Sequence, residues 1–128
     1  MKKTPKRPRK RPTAPRLSSD LTAGIAAALD KKALDVLVLD LRKASAFTDF
    51  FVICTGANIR QVQAIADAIQ QALGQQGNRP ALVEGYDRAE WVLIDYFDFI
   101  FHVFTPSTRE FYALERLWGD AERIEVSA

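Results

Sequence analysis

Two segments of this chain are apolar on both faces of an extended strand. Residues 48–55 read TDFFVICT and residues 99–104 read FIFHVF. A strand with one wet face alternates apolar with polar side chains, whereas a strand covered on both faces does not. These two segments therefore belong at the centre of a sheet with cover on each side. Where helices leave part of one face bare, an apolar patch results, and such patches mark partner surfaces.

The flanking pattern supplies the cover. Ser18, Ser19 and Asp20 are N-capping residues ahead of Leu21, Ile25, Ala28 and Leu29 at helical spacing, which predicts a helix over 19–33. Residues 35–41 (DVLVLDL) read as a first strand and 48–55 as a second. Gly56 breaks the second strand, and Asn58 caps a helix striped by Ile59, Val62, Ile65, Ala66, Ile69 and Leu73. Gly74 and Gly77 end that helix. Residues 80–84 form a weak third strand, and 91–96 and 99–104 a hairpin turning at Phe97 and Asp98. Pro106 starts a last helix, with Ser107 and Glu110 at capping-box spacing and Phe111, Leu114 and Trp118 as its buried stripe. The order α-β-β-α-β-β-β-α predicts an α/β sandwich, a single domain with one mixed sheet of about five strands under packed helices. No internal repeat is visible.

A chain of 128 residues holds one domain. Its boundaries fall at a sharp change in charge. Residues 1–16 carry Lys2, Lys3, Lys6, Arg7, Arg9, Lys10, Arg11 and Arg16, four prolines and no acid. Of eighteen Lys and Arg and sixteen Asp and Glu, ten basic and all sixteen acidic residues are left to 17–128, a net of −6. The expected organisation is a basic, proline-rich disordered tail over 1–16, an acidic domain over 17–119 and a loose C-terminal tail over 120–128. Lys and Arg at this density suit phosphates, so the eight basic residues of the tail are candidates for contact with RNA. No apolar stretch approaches the roughly 18 residues of a bilayer span, and no apolar segment of a secretory leader follows the basic N-terminus. One cysteine, Cys54, in an apolar run, reads as a buried hydrophobe and fits a reducing compartment.

Catalytic arrangements are weakly represented. Asp40, Asp49, Asp95 and Asp98 fall at strand ends, where paired carboxylates hold divalent metal, but no two show D-x-D spacing. Thr55-Gly56-Ala57-Asn58 joins strand to helix as phosphate loops do, yet lacks GK[ST] and GxGxxG. His102 has no second His and no nucleophile near it in sequence; sharing parity with Ile100 and Phe104, it reads as a face-lining histidine bonded to a neighbour. These features predict no catalytic site, no cofactor and no metal. The aromatic run over 89–118 (AEWVLIDYFDFIFHVFTPSTREFYALERLW) holds both tryptophans and two of the three tyrosines, residue types enriched at binding hot spots. Trp91, Tyr96, Arg109, Tyr112 and Trp118 are the candidates for a partner surface, with Asp95 and His102 as polar anchors.

Several stretches in order carry a resemblance: residues 35–56 (DVLVLDLRKASAFTDFFVICTG), 60–67 (RQVQAIAD), Glu84-Gly85, 89–96 (AEWVLIDY), 98–104 (DFIFHVF) and 109–118 (REFYALERLW). Across them the chain resembles the ribosomal silencing factor family, also called the Iojap-like proteins. The resemblance implies a nucleotidyltransferase-like core without known catalysis. It implies binding to the large ribosomal subunit through ribosomal protein fourteen, so that the small subunit is kept from joining and translation is repressed. Some organellar relatives act in large-subunit assembly, which is the alternative reading, ahead of a nucleotidyltransferase-like enzyme. By position, Thr48, Asp49, Trp91, Asp95, His102, Arg109 and Tyr112 stand where the family's signature residues stand. The family and the open sheet edges imply a homodimer, and the bacterial members imply a cytoplasmic location. One departure is Phe97, where the family commonly has glycine; the turn there is expected to be wider or of another type.

Overall fold

A computed structural model of the chain describes residues 17–44 and 46–126. Helix α1 (Ser19–Asp30) starts where Ser18 caps it, the Ser18 hydroxyl accepting the Leu21 amide. Strands β1 (Leu34–Asp40) and β2 (Phe50–Thr55) follow, then α2 (Ile59–Gln75). Asn58 caps α2 by accepting the Gln61 amide at 2.9 Å. Strands β3 (Leu82–Glu84), β4 (Trp91–Asp95) and β5 (Phe99–Phe104) lead to two short helices, α3 (Pro106–Tyr112) and α4 (Leu114–Leu117), and to β6 (Glu122–Glu125). The strands form one mixed sheet in the order β3-β4-β5-β2-β1-β6. Only the central pair, β2 with β5, is parallel among the described strands. β2 and β5, drawn from the two segments apolar on both faces, thus lie side by side at the middle, every residue of both strands buried.

The period of two divides their side chains between two layers. Phe50, Val52 and Cys54 of β2, with Phe99, Phe101 and Val103 of β5, face the main core beneath α1 and α2. There Val62, Ile65, Ala66, Ile69 and Leu73 form the α2 stripe as expected, whereas Ile59 at its first turn remains half exposed. Each fully buried Leu or Ile contributes about 2 kcal/mol. Phe51, Ile53, Ile100, His102 and Phe104 face the other way, where only α3 and α4 lend cover.

Three expectations need correction. Residues 122–125 are not a loose tail: they pair antiparallel with β1, Ile124 opposite Val38, and Ile124 packs on the main core. A strand of this kind needs just one inward apolar residue, too little for a visible alternation. The last helix is broken at Ala113, which takes the left-handed conformation (φ 45°). Leu114 then tucks under the sheet and Trp118 meets Phe51 edge-on, while Phe111 turns out to solvent at 80% exposure. The expected capping box is also absent. Pro106 occupies the first turn and Thr105 is the cap residue, its hydroxyl paired with that of Thr108; the fixed φ of proline starts the helix earlier than Ser107 would.

The hairpin between β4 and β5 is tighter than expected. Asp98 donates its amide to Tyr96 O at 2.8 Å across Phe97, which holds φ 72°. Phenylalanine thus adopts the glycine conformation at a cost of about 1 kcal/mol. Phe97→Gly is expected to stabilise the fold by about 0.5 kcal/mol after the larger chain entropy of glycine is counted. Urea midpoints of the two proteins check this.

Candidate functional site

The thinly covered face carries the aromatic candidates. Residues 91, 93 and 95 of β4 share this face with His102, because Leu93 pairs with His102 and Trp91 with Phe104. The Trp91 ring stacks on Phe104 (5.0 Å between centroids) and on Tyr112 of α3 (4.9 Å). Its indole N–H donates to His102 Nδ1 at 3.1 Å. Indole only donates, so Nδ1 is the bare nitrogen and the proton sits on Nε2. The His102 ring is buried, edge-on to Phe51 at 4.5 Å. Burial pulls its pKa down from 6.5 to about 3. It is a neutral prop beneath Trp91.

That prop has a pH signature. Between about 3 and 6.5 the unfolded chain binds a proton at this histidine and the folded chain does not. Stability is therefore lost as pH falls below 6.5, with a slope approaching about 1.4 kcal/mol per unit. Urea midpoints are expected to fall between pH 7 and 5, and less steeply in His102→Gln, whose amide oxygen still accepts the Trp91 N–H.

The Arg109 guanidinium is engaged within the domain. It bonds Asp35 O (2.7 Å), Thr55 Oγ1 (3.0 Å) and Glu115 (3.4 Å), locking α3 and α4 to the ends of β1 and β2. This lock places Tyr112, half exposed, beside Trp91. Around that pair the face shows Phe111 and Leu117 exposed and Leu93 half-buried, with Leu82 exposed toward the far end beside Asp95. None of these four was a candidate from sequence. The alternation Trp91-Leu93 on one strand face signals Leu93; Phe111 and Leu117 depend on the break at Ala113.

The remaining candidates lie elsewhere. Tyr96 is on the opposite face, buried against Phe99, and burial raises its hydroxyl to about 12. Thr48 and Asp49 stand at the far end of the sheet, Thr48 donating to Phe97 O. Asp95 shares the open face but lies at that far end and accepts the Phe97 amide. The eight basic residues of 1–16 lie outside the described residues. So the structure brings Trp91, His102 and Tyr112 together, with Arg109 as their support.

The strand-to-helix loop is engaged within its own helix. Ala57 donates its amide to Gln61 Oε1 at 2.7 Å, and a side-chain carbon on Gly56 would meet the Val62 amide nitrogen at 2.8 Å. Asp40 is held by Arg42 at 2.8 Å. Cys54 is fully buried and its thiol is pushed up to about 12.

Fold and face together define a class: an α/β protein of one mixed sheet, with the two long helices on one side and an aromatic surface, partly covered by two short helices, on the other. Residues 14–128 match the family described as "Ribosomal silencing factor during starvation". The chain belongs to the ribosomal silencing factor family. It is 45% identical over 108 residues to the ribosomal silencing factor RsfS of Bacillus subtilis, covering 84% of this chain and 92% of that one. A crystal structure from Chromobacterium violaceum superposes with a TM-score of 0.76 at 32% identity, covering 85% of this chain and 91% of the other. Similarity extends to the mouse protein named "Mitochondrial assembly of ribosomal large subunit protein 1", 30% identical over 91 residues, 69% of this chain and 40% of that one.

Proposed function

We propose that this protein is a translational repressor that binds the large ribosomal subunit through ribosomal protein fourteen and sterically blocks the small subunit. The observation that carries this reading is the Trp91–Tyr112 surface, an apolar aromatic face that the domain's own helices leave open. It is the kind of surface that anchors a protein partner. The −6 net charge of residues 17–128 complements a basic ribosomal protein and steers encounter. The basic segment 1–16 is suited to the rRNA beside that protein. The action is binding without turnover, in the cytoplasm where subunits join.

Co-sedimentation with purified large subunits, followed by addition of small subunits, tests it. The protein is expected to travel with large subunits and to lower the yield of joined ribosomes. Binding that leaves joining intact would overturn the blocking mechanism. That outcome favours the second reading, an assembly factor using the same surface, to which the similarity to the mouse assembly protein points.

A further inference from the structure

A second apolar feature stands at the far end of the sheet. Phe47 is 80% exposed and Phe97 73%. Hydrogen bonds tie together the segments that carry them. Buried Thr48 donates its hydroxyl to Phe97 O at 2.6 Å, and Asp49 donates its amide to Asp98 O at 3.0 Å. Phe97 stands there at φ 72° although its ring is largely exposed. Strain kept without a packing return points to a use outside the domain's own stability. Carboxylates stand close to both rings along the chain: Asp49 follows Phe47 by two residues, and Asp98 follows Phe97 directly. Burial and the neighbouring Asp98 hold the Asp49 carboxyl above its ordinary range, against the pull of Arg42.

The described chain begins at this same end. Leu34, just after α1, pairs with Thr55, so the first turn of α1 lies toward the other end of the sheet. Asn78, beyond α2, donates to Asp20 at 2.9 Å, and Ala81 nearby donates to Asp95 O at 2.7 Å. Residue 17 therefore adjoins the Phe47–Phe97 end. The sixteen residues before it hold eight Lys and Arg, no acid and four prolines, three of them in the run Pro5-x-x-Pro8-x-x-x-Pro12. Fully extended, sixteen residues reach about 50 Å. Proline-rich segments dock on exposed aromatic rings as pre-formed extended helices, and carboxylates beside the rings attract their basic side chains.

We propose that residues 1–16 of this chain dock in cis on the Phe47–Phe97 patch, proline rings on phenyl rings and basic heads toward Asp49 and Asp98. This is independent of the docking face around Trp91. Off the ribosome the arm is held by the domain; nucleic-acid phosphates compete with the two carboxylates and release it.

Thr4→Cys in the full chain takes a nitroxide label at one place, since Cys54 is fully buried. Relaxation enhancement in the ¹⁵N-labelled protein is then read by amide. At low salt Thr48, Asp49 and Asp98 are expected to lose most of their intensity, and to recover at high salt. Adding Phe47→Ser and Phe97→Gly is expected to abolish the effect; Phe97→Gly relieves the positive φ, and a melting curve shows that the variant is folded. Broadening centred on Trp91 and Tyr112, or spread over the whole surface, overturns the proposal. So does a pattern unchanged in the double phenylalanine variant. A pattern seen equally when spin-labelled chains lacking ¹⁵N are mixed with unlabelled ¹⁵N chains also overturns it, because a second copy then supplies the arm.

Discussion

Trp91→Ala is expected to weaken binding to large subunits by about 2–4 kcal/mol, roughly 30- to 1000-fold. The indole is the centre of the exposed aromatic set, in contact with Phe104, Tyr112 and His102 at once. Removing it takes away the largest anchor and leaves His102 Nδ1 without its donor. Some loss of stability follows, so a second variant separates docking from folding. Leu93→Asp puts a carboxylate on the same face at a half-buried position and is expected to stop co-sedimentation with a smaller change in melting temperature. Wild-type affinity in both variants would remove the docking face from the mechanism.

Gly85→Ala is expected to destabilise the domain by about 3 kcal/mol, a fall of about 10–20 °C in melting temperature. The added carbon would lie 2.1 Å from the Trp91 carbonyl oxygen, at a residue whose φ is +82°. A backbone atom cannot step aside as a side chain does. Either the loop or the first residue of β4 shifts, and a shift of Trp91 carries the docking face with it. Gly77→Ala is the matched control: its φ is +79°, but nothing lies within 4 Å of the added carbon. That change is expected to cost about 1 kcal/mol from backbone conformation alone. Equal losses in the two variants would show that the contact with Trp91 contributes nothing.

The sheet was legible because its central strands are long, apolar on both faces and bounded by Gly56, Pro106 and the Phe97–Asp98 turn. β5 falls on residues 99–104 as the pattern predicts, and the α2 stripe is buried from Val62 to Leu73. What failed to show was set by tertiary contacts. Ala113 is a good helix former with no local reason to turn left-handed; the bonds of Arg109 to Asp35, Thr55 and Glu115 hold the helices on either side of it. The break exposes Phe111 and Leu117, so half of the aromatic surface had no sequence signal. Tyr96 was misplaced for a simpler reason. It stands at odd rather than even spacing from Trp91, Leu93 and Asp95, and the period of two puts it on the other face.

The parallel pairing of β2 with β5 has a consequence for how the molecule is made. Phe50 meets Phe99, and β1 gains its outer neighbour only at residue 122. Contacts that distant in sequence form slowly, since a long loop must close before they bring any return. On a ribosome the nascent chain emerges with β2 lacking the neighbour that will cover its inner edge. It remains an open apolar edge until about two thirds of the remaining chain has followed, a template for pairing with other chains. A protein proposed to act on ribosomes is thus dependent on one at a vulnerable stage: its own synthesis must run close to the end before its aromatic face exists.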